Sequence, residues 1–296
     1  MRVAILFAAC GCYGVEQIDG AWEPVETIEG VLAPELGPSP VVRAAPADGV
    51  LRIATWNTYR APDPALLARE YFESPELSRA DVLMIQEVET HAHEPSSRAS
   101  RLAMALGMTW IFAPARDEGY LHGVMIASRY PITNARVMRL PLGTAPFHQN
   151  PRNALAAEID LGTQKVTVVD MHLDVRIGPV DRIRQMHPAV TQVPDAVAIG
   201  GDFNTNPWGW IGATAPLTST EAIVGQDQAS VIDDYMIGLG FQSPIGPDEV
   251  TFNRPLLDHM RLDNVFVRGY RVLGQGIAKD VEGSDHWPVW VDLALP

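Results

Sequence analysis

A succession of short apolar runs, each closed by a polar residue, constrains this chain more than any other feature. Runs of four to eight residues rich in Val, Ile and aromatics are short for helices and read as strands. They predict strands over Leu51–Trp56, Val82–Gln86, Trp110–Ala113, Gly123–Ser128, Ala154–Ile159, Val166–His172, Ala196–Gly200, Asn264–Val267 and Pro288–Leu293. Helices are predicted over Ala65–Phe72, Ser96–Leu106, Pro179–Met186 and Gln228–Leu239. Ser96 and Ser97 offer cap oxygens to the second helix and Gly107 a stop. Strands and helices mix without strict alternation, so pattern alone gives an α/β class. Three Pro- and Gly-punctuated segments, Gly143–Gln149, Asn206–Thr220 and Ser243–Leu256, are too long for simple connections. Segments of that length commonly border binding sites.

The polar residues that close the runs are the chemical content of the sequence. In order they are Thr55-Trp56-Asn57, Ile85-Gln86-Glu87, Met171-His172-Leu173, Gly200-Gly201-Asp202-Phe203-Asn204, Arg261-Leu262-Asp263-Asn264 and Ser284-Asp285-His286-Trp287-Pro288. A sheet would present all of them to one cleft at its strand ends. A carboxylate closing a buried run, as Glu87 does, is costly unless it is paired or binds a cation. Glu87 therefore reads either as a ligand for a hard metal or as a surface acid. Asn57 reads either as a group near a metal or phosphate oxygen or as a turn residue. In the glycine-led motif, Gly200 and Gly201 let the backbone pass close to a ligand. His91 and His93 alternate along a polar loop with no supporting ligand pattern and read as solvated. No Gly-x-Ser-x-Gly, Walker or dinucleotide motif is present.

These motifs, with an apolar strand leading into Ser128-Arg129-Tyr130-Pro131, occur in the order found in the endonuclease/exonuclease/phosphatase superfamily, and the chain resembles that family from about Leu51 to Leu293. The resemblance implies the deoxyribonuclease-I-like fold, two facing mixed β-sheets flanked by helices. It implies a metal-dependent phosphoesterase that hydrolyses a phosphodiester, or as the second choice a phosphomonoester, by in-line attack of activated water, with Mg²⁺ as cofactor and Mn²⁺ as its substitute. Glu87 and Asp285 are the implied metal ligands, few in number because Mg²⁺ keeps several of its waters. Asp202 is implied to orient or deprotonate the attacking water, and Asn204 to contact the reacting phosphoryl group. Asp263 is implied to fix the tautomer of His286, leaving its other nitrogen toward the phosphorus. His172 would donate to a phosphate oxygen, and Asn57 and Arg152, with Asn153 beside it, would contact the substrate phosphate. Two positions depart from the family's commoner forms: Asp170 stands where Asn is usual, and Asn264 where an aromatic residue is.

The 296 residues carry a net charge of −14, which disfavours a surface that tracks nucleic-acid backbone. A local basic patch or a bound divalent cation reverses that field at a site. The implied partner is a phosphate-ester substrate, with nucleic acid, phospholipid or sphingolipid head groups and inositol phosphates as competing classes, on a monomeric enzyme. A non-catalytic binding module would require a lost catalytic residue, and none of the set is missing. The two cysteines, Cys10 and Cys12, both lie at the N-terminus, so the body has no disulfide and no thiol nucleophile. Arg2, a short apolar run and Ala8-Ala9 before Cys10 resemble a bacterial lipoprotein signal. Residues 1–12 are accordingly expected to be signal and lipidation region, 13–48 a Pro-rich tether or else an extension that wraps the domain and docks in part through Trp22, and 49–296 the catalytic domain at the bacterial cell envelope. Acyl chains on Cys10 would give stable anchoring. Cys10→Ser is then expected to move the protein to the soluble fraction with unchanged turnover of a soluble substrate; a wild-type protein that fractionates as soluble with Met1 retained refutes the anchor.

Overall fold

The computed structural model describes residues 14–15, 20–38, 46, 48–144, 150–206, 227–254 and 260–295. The lipoprotein signal with both cysteines and most of the Asn206–Thr220 loop lie outside the described residues. In chain order the first elements are β1 (Gly14–Val15), β2 (Glu23–Pro24), β3 (Glu35–Gly37), β4 (Val50–Asn57), α1 (Pro64–Glu73) and β5 (Val82–His91). Then come α2 (Arg98–Leu106), β6 (Thr109–Asp117), β7 (Tyr120–Ser128), β8 (Ile132–Arg139), β9 (Gly143–Thr144), β10 (Asn153–Asp160) and β11 (Lys165–His172). The chain ends through α3 (Pro179–Thr191), β12 (Val197–Asp202), α4 (Gln228–Gly238), β13 (Asp263–Arg268), β14 (Arg271–Ile277) and β15 (Val289–Ala294).

The strands form a six-stranded sheet, β13-β12-β11-β10-β8-β2, facing a seven-stranded sheet, β14-β15-β4-β5-β7-β6-β3. Alternation along each strand sorts side chains between the layers. Leu51 and Ile53, Val82 and Met84, Val166 and Val168, and Val265 and Val267 fill the space between the sheets. Ala54, Trp56, Leu83 and Ile85 point the other way, under α1 and α2. Val169, Met171, Val197, Ile199 and Phe266 pack under α3 and α4. The result is the four-layer α/β sandwich expected. Helix starts follow local chemistry: the Asp63 carboxylate accepts from the amides of Ala65 and Leu66, and Ser97 caps α2, which stops at left-handed Gly107.

Besides the strands of two or three residues, β8 and β14 have no counterpart in the sequence reading. Left-handed Asn134 (φ 48°) interrupts the alternation of β8, and two glycines thin that of β14. Helix α3 runs five residues past its predicted end, carrying Pro188 inside it. The tether expected over 13–48 needs correction for residues 20–38. Glu23–Pro24 pairs with β8 and Glu35–Gly37 with β6, so this arm closes one edge of each sheet. Gly37 lies flat on Trp110, where a Cβ would sit 2.4 Å from the indole nitrogen. The run of Pro and Gly that looks like a linker is thus an edge-strand composition.

Where the inner faces approach the site, the filling turns polar. Gln86 donates to Thr55 Oγ1 at 2.9 Å within its own sheet and to Asp170 Oδ1 at 2.5 Å across the gap. Asp170 is fully buried, and burial pushes its carboxyl up to about 8 against the lowering effect of the Gln86 hydrogen bond. The folded state thus holds a proton that the unfolded chain releases near its ordinary value of 3.8. Stability from this group is complete below that value and is lost as pH rises toward about 8. Asp170→Asn removes the titration, so the variant's stability advantage over wild type in urea denaturation is expected to widen from pH 5 to pH 8. Parallel stability curves would show that Asp170 does not titrate in this window.

Candidate active site

Strand register brings three predicted residues abreast. His172 at the end of β11 pairs with Asp202 at the end of parallel β12, and Asp202 pairs with Asp263 at the start of antiparallel β13. All three continue the inward-facing positions of their strands, so their side chains meet at one end of the inter-sheet space. Glycine makes the approach possible. A Cβ on Gly201 (φ 155°) would lie 1.9 Å from the Met171 carbonyl oxygen, and one on Gly200 would lie 2.2 Å from Met84 Cε of the opposite sheet.

The second sheet contributes Asn57 and Glu87. Asn57 Nδ2 donates to Asp202 Oδ2 at 2.9 Å, and Asn57 Oδ1 accepts from the Tyr59 amide at 3.0 Å. Asn57 was expected near a metal or phosphate oxygen; its buried amide is turned to Asp202 Oδ2, to which it is closer than His172 Nε2 is. Glu87 sits in a β-bulge with φ 59°. The bulge turns its half-buried carboxylate into the cleft, 4.0 Å from His172 Nε2. Beyond Asn57 the backbone of Tyr59, Arg60 and Ala61 is left-handed at all three residues, φ 45°, 71° and 45°. Such residues cost about 1–3 kcal/mol each and cluster at functional sites.

Asp202 is held on both oxygens, by Asn57 and by the Asn204 amide at 2.8 Å. Burial, then the neighbouring Asp263 charge, raises its carboxyl to about 7. His286 Nδ1 lies 2.8 Å from Asp263 Oδ2, which also accepts from Thr251 Oγ1 at 2.8 Å. Burial disfavours charge on His286, but Asp263, reinforced by Asp202 and Asp285, outweighs it and lifts the imidazole to about 10. Ser284 fixes the approach of this loop by donating to the Asn57 carbonyl at 2.6 Å and accepting from the His286 amide at 3.1 Å.

His172 has the opposite electrostatics. Burial and the Arg152 guanidinium, then His122 and His286, hold it well below its ordinary value. Arg152 is only a donor, so at 2.8 Å His172 Nδ1 accepts and the proton resides on Nε2. That N–H faces Asp202 Oδ2 at 3.4 Å. Asp285 is engaged by Arg254, with Nε and a terminal nitrogen at 2.8 and 2.7 Å from Oδ2.

The cleft has a volume of about 320 Å³, and Glu87, Arg152, His172, Asp202, Asn204, Asp285 and His286 line it, with Asn57 and Asp263 beneath. Asn153 is not in the cleft: its amide donates to the carbonyls of Ala113 and Pro114 at 3.1 and 3.3 Å. Asn204 Nδ2 donates to the Leu173 carbonyl at 2.9 Å, which anchors the residue whose expected partner was phosphoryl. Sequence reasoning missed Tyr59 and Arg60 in the lining, Arg254 on Asp285, and the apolar wall of Val175, Phe252, Met260 and Leu262. It also missed buried His122, whose ring centroid lies 6.2 Å from that of His172. A larger groove of about 620 Å³ opens beside the N-terminal arm, at Val25, Leu36, Trp110 and Ile132. The converging acids and imidazoles of the smaller cleft mark it as the site.

Among the described residues, Asp202, Asp263 and His286 form a group whose possible ligand atoms lie within 4.8 Å of one another. His286 Nδ1 and Asp263 Oδ2 are already joined at 2.8 Å and Asp202 is held on both oxygens, so this group reads as a hydrogen-bonded charge cluster. Asp285 Oδ1 and the Glu87 carboxylate remain for a cation. Asp285 Oδ1 is buried with no hydrogen-bond partner, which suits that use. If Asp263 supports the His286 charge, Asp263→Asn should bring the His286 pKa down from about 10 in an NMR titration of metal-free protein. An unchanged titration would show that the pair is not coupled.

Comparison with known proteins tests the fold and the family. Residues 54–286 match the model of the Endonuclease/Exonuclease/phosphatase family. No curated protein matches the chain. Among solved structures, an endonuclease/exonuclease/phosphatase from Beutenbergia cavernae is 22% identical, TM-score 0.58, covering 83% of this chain and 72% of that one. The human Nocturnin catalytic domain, solved with a bound sulfate anion, is 18% identical, TM-score 0.57, covering 84% of this chain and 95% of that one. TDP2 from D. rerio, solved with a single-strand DNA product, is 18% identical, TM-score 0.53, covering 83% of this chain and 99% of that one. At such identities the structures speak for the fold. The family match spans the strand residues Asn57, Glu87, His172, Asp202 and Asp263 and ends at His286, in the loop before β15. With the sandwich and the register of its polar strand ends, it establishes that the chain belongs to the endonuclease/exonuclease/phosphatase family.

Proposed function

We propose that the protein hydrolyses a phosphodiester by direct attack of water. One observation carries the reading: a buried Asp202, oriented on both oxygens, faces the Nε2–H of neutral His172 and adjoins the Asp263–His286 pair. A carboxylate raised to about 7 is matched to proton abstraction near neutral pH. Neutral His172, with its proton on Nε2, donates to a phosphoryl oxygen without competing for the proton Asp202 takes. His286, held charged by Asp263, opposes the negative charge that develops as the water attacks. Arg152, behind His172, fixes that ring's tautomer and adds a cation to the phosphate-facing wall.

Glu87 and Asp285 would hold Mg²⁺, as their carboxylates on the same cleft suggest. When bound, the cation supplies Lewis-acid stabilisation to phosphoryl oxygens. The sulfate in Nocturnin and the DNA product in TDP2 are consistent with an anionic ester as ligand. The acidic chain and a cleft of about 320 Å³ favour a small or head-group phosphodiester over a polynucleotide track.

A turnover panel with DNA, sphingomyelin, inositol phosphates and an activated diester, run with chelator and with added Mg²⁺ or Mn²⁺, tests the reading. Turnover is expected to vanish with chelator, return with either ion, and fall at least about 10²-fold in Asp202→Asn. Chelator-resistant turnover, or full activity in Asp202→Asn, overturns it.

A further inference from the structure

Helix α3 packs on its sheet through Met186, Ala189 and Val190, yet the same buried face carries Arg182 and Gln185, both without solvent exposure. A buried guanidinium costs several kcal/mol of desolvation, and a hydrophobe of similar volume is often as stable or more so. The position therefore asks for an explanation other than packing.

Its bonds supply one. Arg182 Nε donates to the Asp174 carbonyl and a terminal nitrogen to the Val175 carbonyl, each at 3.0 Å. Its other terminal nitrogen donates to Gln228 Oε1 in the first turn of α4. Gln185 accepts from the Asp174 amide at 2.8 Å and donates to the Pro141 carbonyl at 3.1 Å. The segment so gripped is the one that follows His172. Its far side receives the catalytic turn: Asn204 Nδ2 donates to the Leu173 carbonyl at 2.9 Å, Asn206 Nδ2 to Val175 at 3.3 Å, and the Leu173 amide to the Asp202 carbonyl at 2.9 Å. Val175 itself lines the cleft.

We infer that Arg182 is a positioning residue: it fixes the backbone of Leu173–Val175, and that backbone in turn fixes Asp202 and Asn204. The inference rests on the proposed hydrolysis for its kinetic consequence, while its structural consequence stands alone. The planar fork is what the role needs, because it reaches two successive carbonyls and the Gln228 amide at once. Arg261, which also meets α4, differs in its main partner: it is ion-paired to Asp233 at 2.7 Å as well as donating to the Ile245 and Ala229 carbonyls, whereas Arg182 donates to two loop carbonyls and a side-chain amide oxygen.

The test uses full-length Arg182→Met and Arg182→Lys. Both are expected to lower kcat about 10- to 100-fold with KM within about twofold, since a shift of the reacting groups of order 1 Å costs rate rather than binding. Lys keeps the charge but not the fork, so it does not rescue. Independently of turnover, the side-chain amide resonances of Asn204, assigned by their loss in Asn204→Asp, are expected to shift and exchange faster in both variants. Wild-type kcat in Arg182→Lys, or Asn204 resonances unchanged while thermal stability falls, overturns the inference and leaves Arg182 a packing residue. Wild-type protein with no phosphodiester turnover counts against the proposed function alone; the Asn204 resonances then decide the role of Arg182.

Discussion

Two facing sheets held apart by aliphatic side chains would make a stable sandwich with nothing to do. What turns this one into a site is the hydrogen bond from Asn57 of one sheet to Asp202 of the other, backed one layer deeper by Gln86 and Asp170. Each is a polar contact in a space where water is excluded, so each is costly to leave unmade and strong when made. Together they set the spacing of the sheets at their open end. The positions of Glu87, His172 and His286 follow from that spacing.

The same contacts organise charge. Asp202, Asp263 and His286 share a small buried volume, and the charge of Asp263 acts on both of its neighbours. Burial lifts Asp202, while the acids around His286 hold its proton. A few ångströms away, burial and then Arg152 disfavour charge on His172 and His122. One imidazole is thereby kept charged and another neutral within a single cleft. Two identical side chains acquire different chemical roles from their neighbours alone. An overall negative charge of −14 is compatible with this, because the site's field comes from groups within hydrogen-bonding reach.

Much of this was legible in the sequence where local rules and tertiary contacts agree. The strands with clean alternation were found, and so were the polar residues that end them, because a buried run must stop somewhere and what stops it is visible. The Ser97 cap and Gly107 stop were readable for the same reason. Other features depend on partners distant in sequence. Glycines and a left-handed Asn obscured β14 and β8, and residues 20–38 look like a linker because edge strands are short and tolerate proline. Nothing in Tyr59-Arg60-Ala61 announces three left-handed residues, and nothing in Leu121-His122-Gly123 places an imidazole beside His172. The inward turn of Arg182 is equally silent, since only the carbonyls it meets distinguish it from a surface arginine of α3.

The pairing of β11, β12 and β13 in one register has a consequence for how such a molecule fails. Because side chains alternate with a period of two, a slip of β12 by a single residue would send Asp202 outward and bring Gly201 to face the cleft. It would also break both flanking pairs at once, leaving His172 and Asp263 beside an empty position. On the proposed hydrolysis, turnover would therefore report the register of these three strands as well as the presence of the residues they carry.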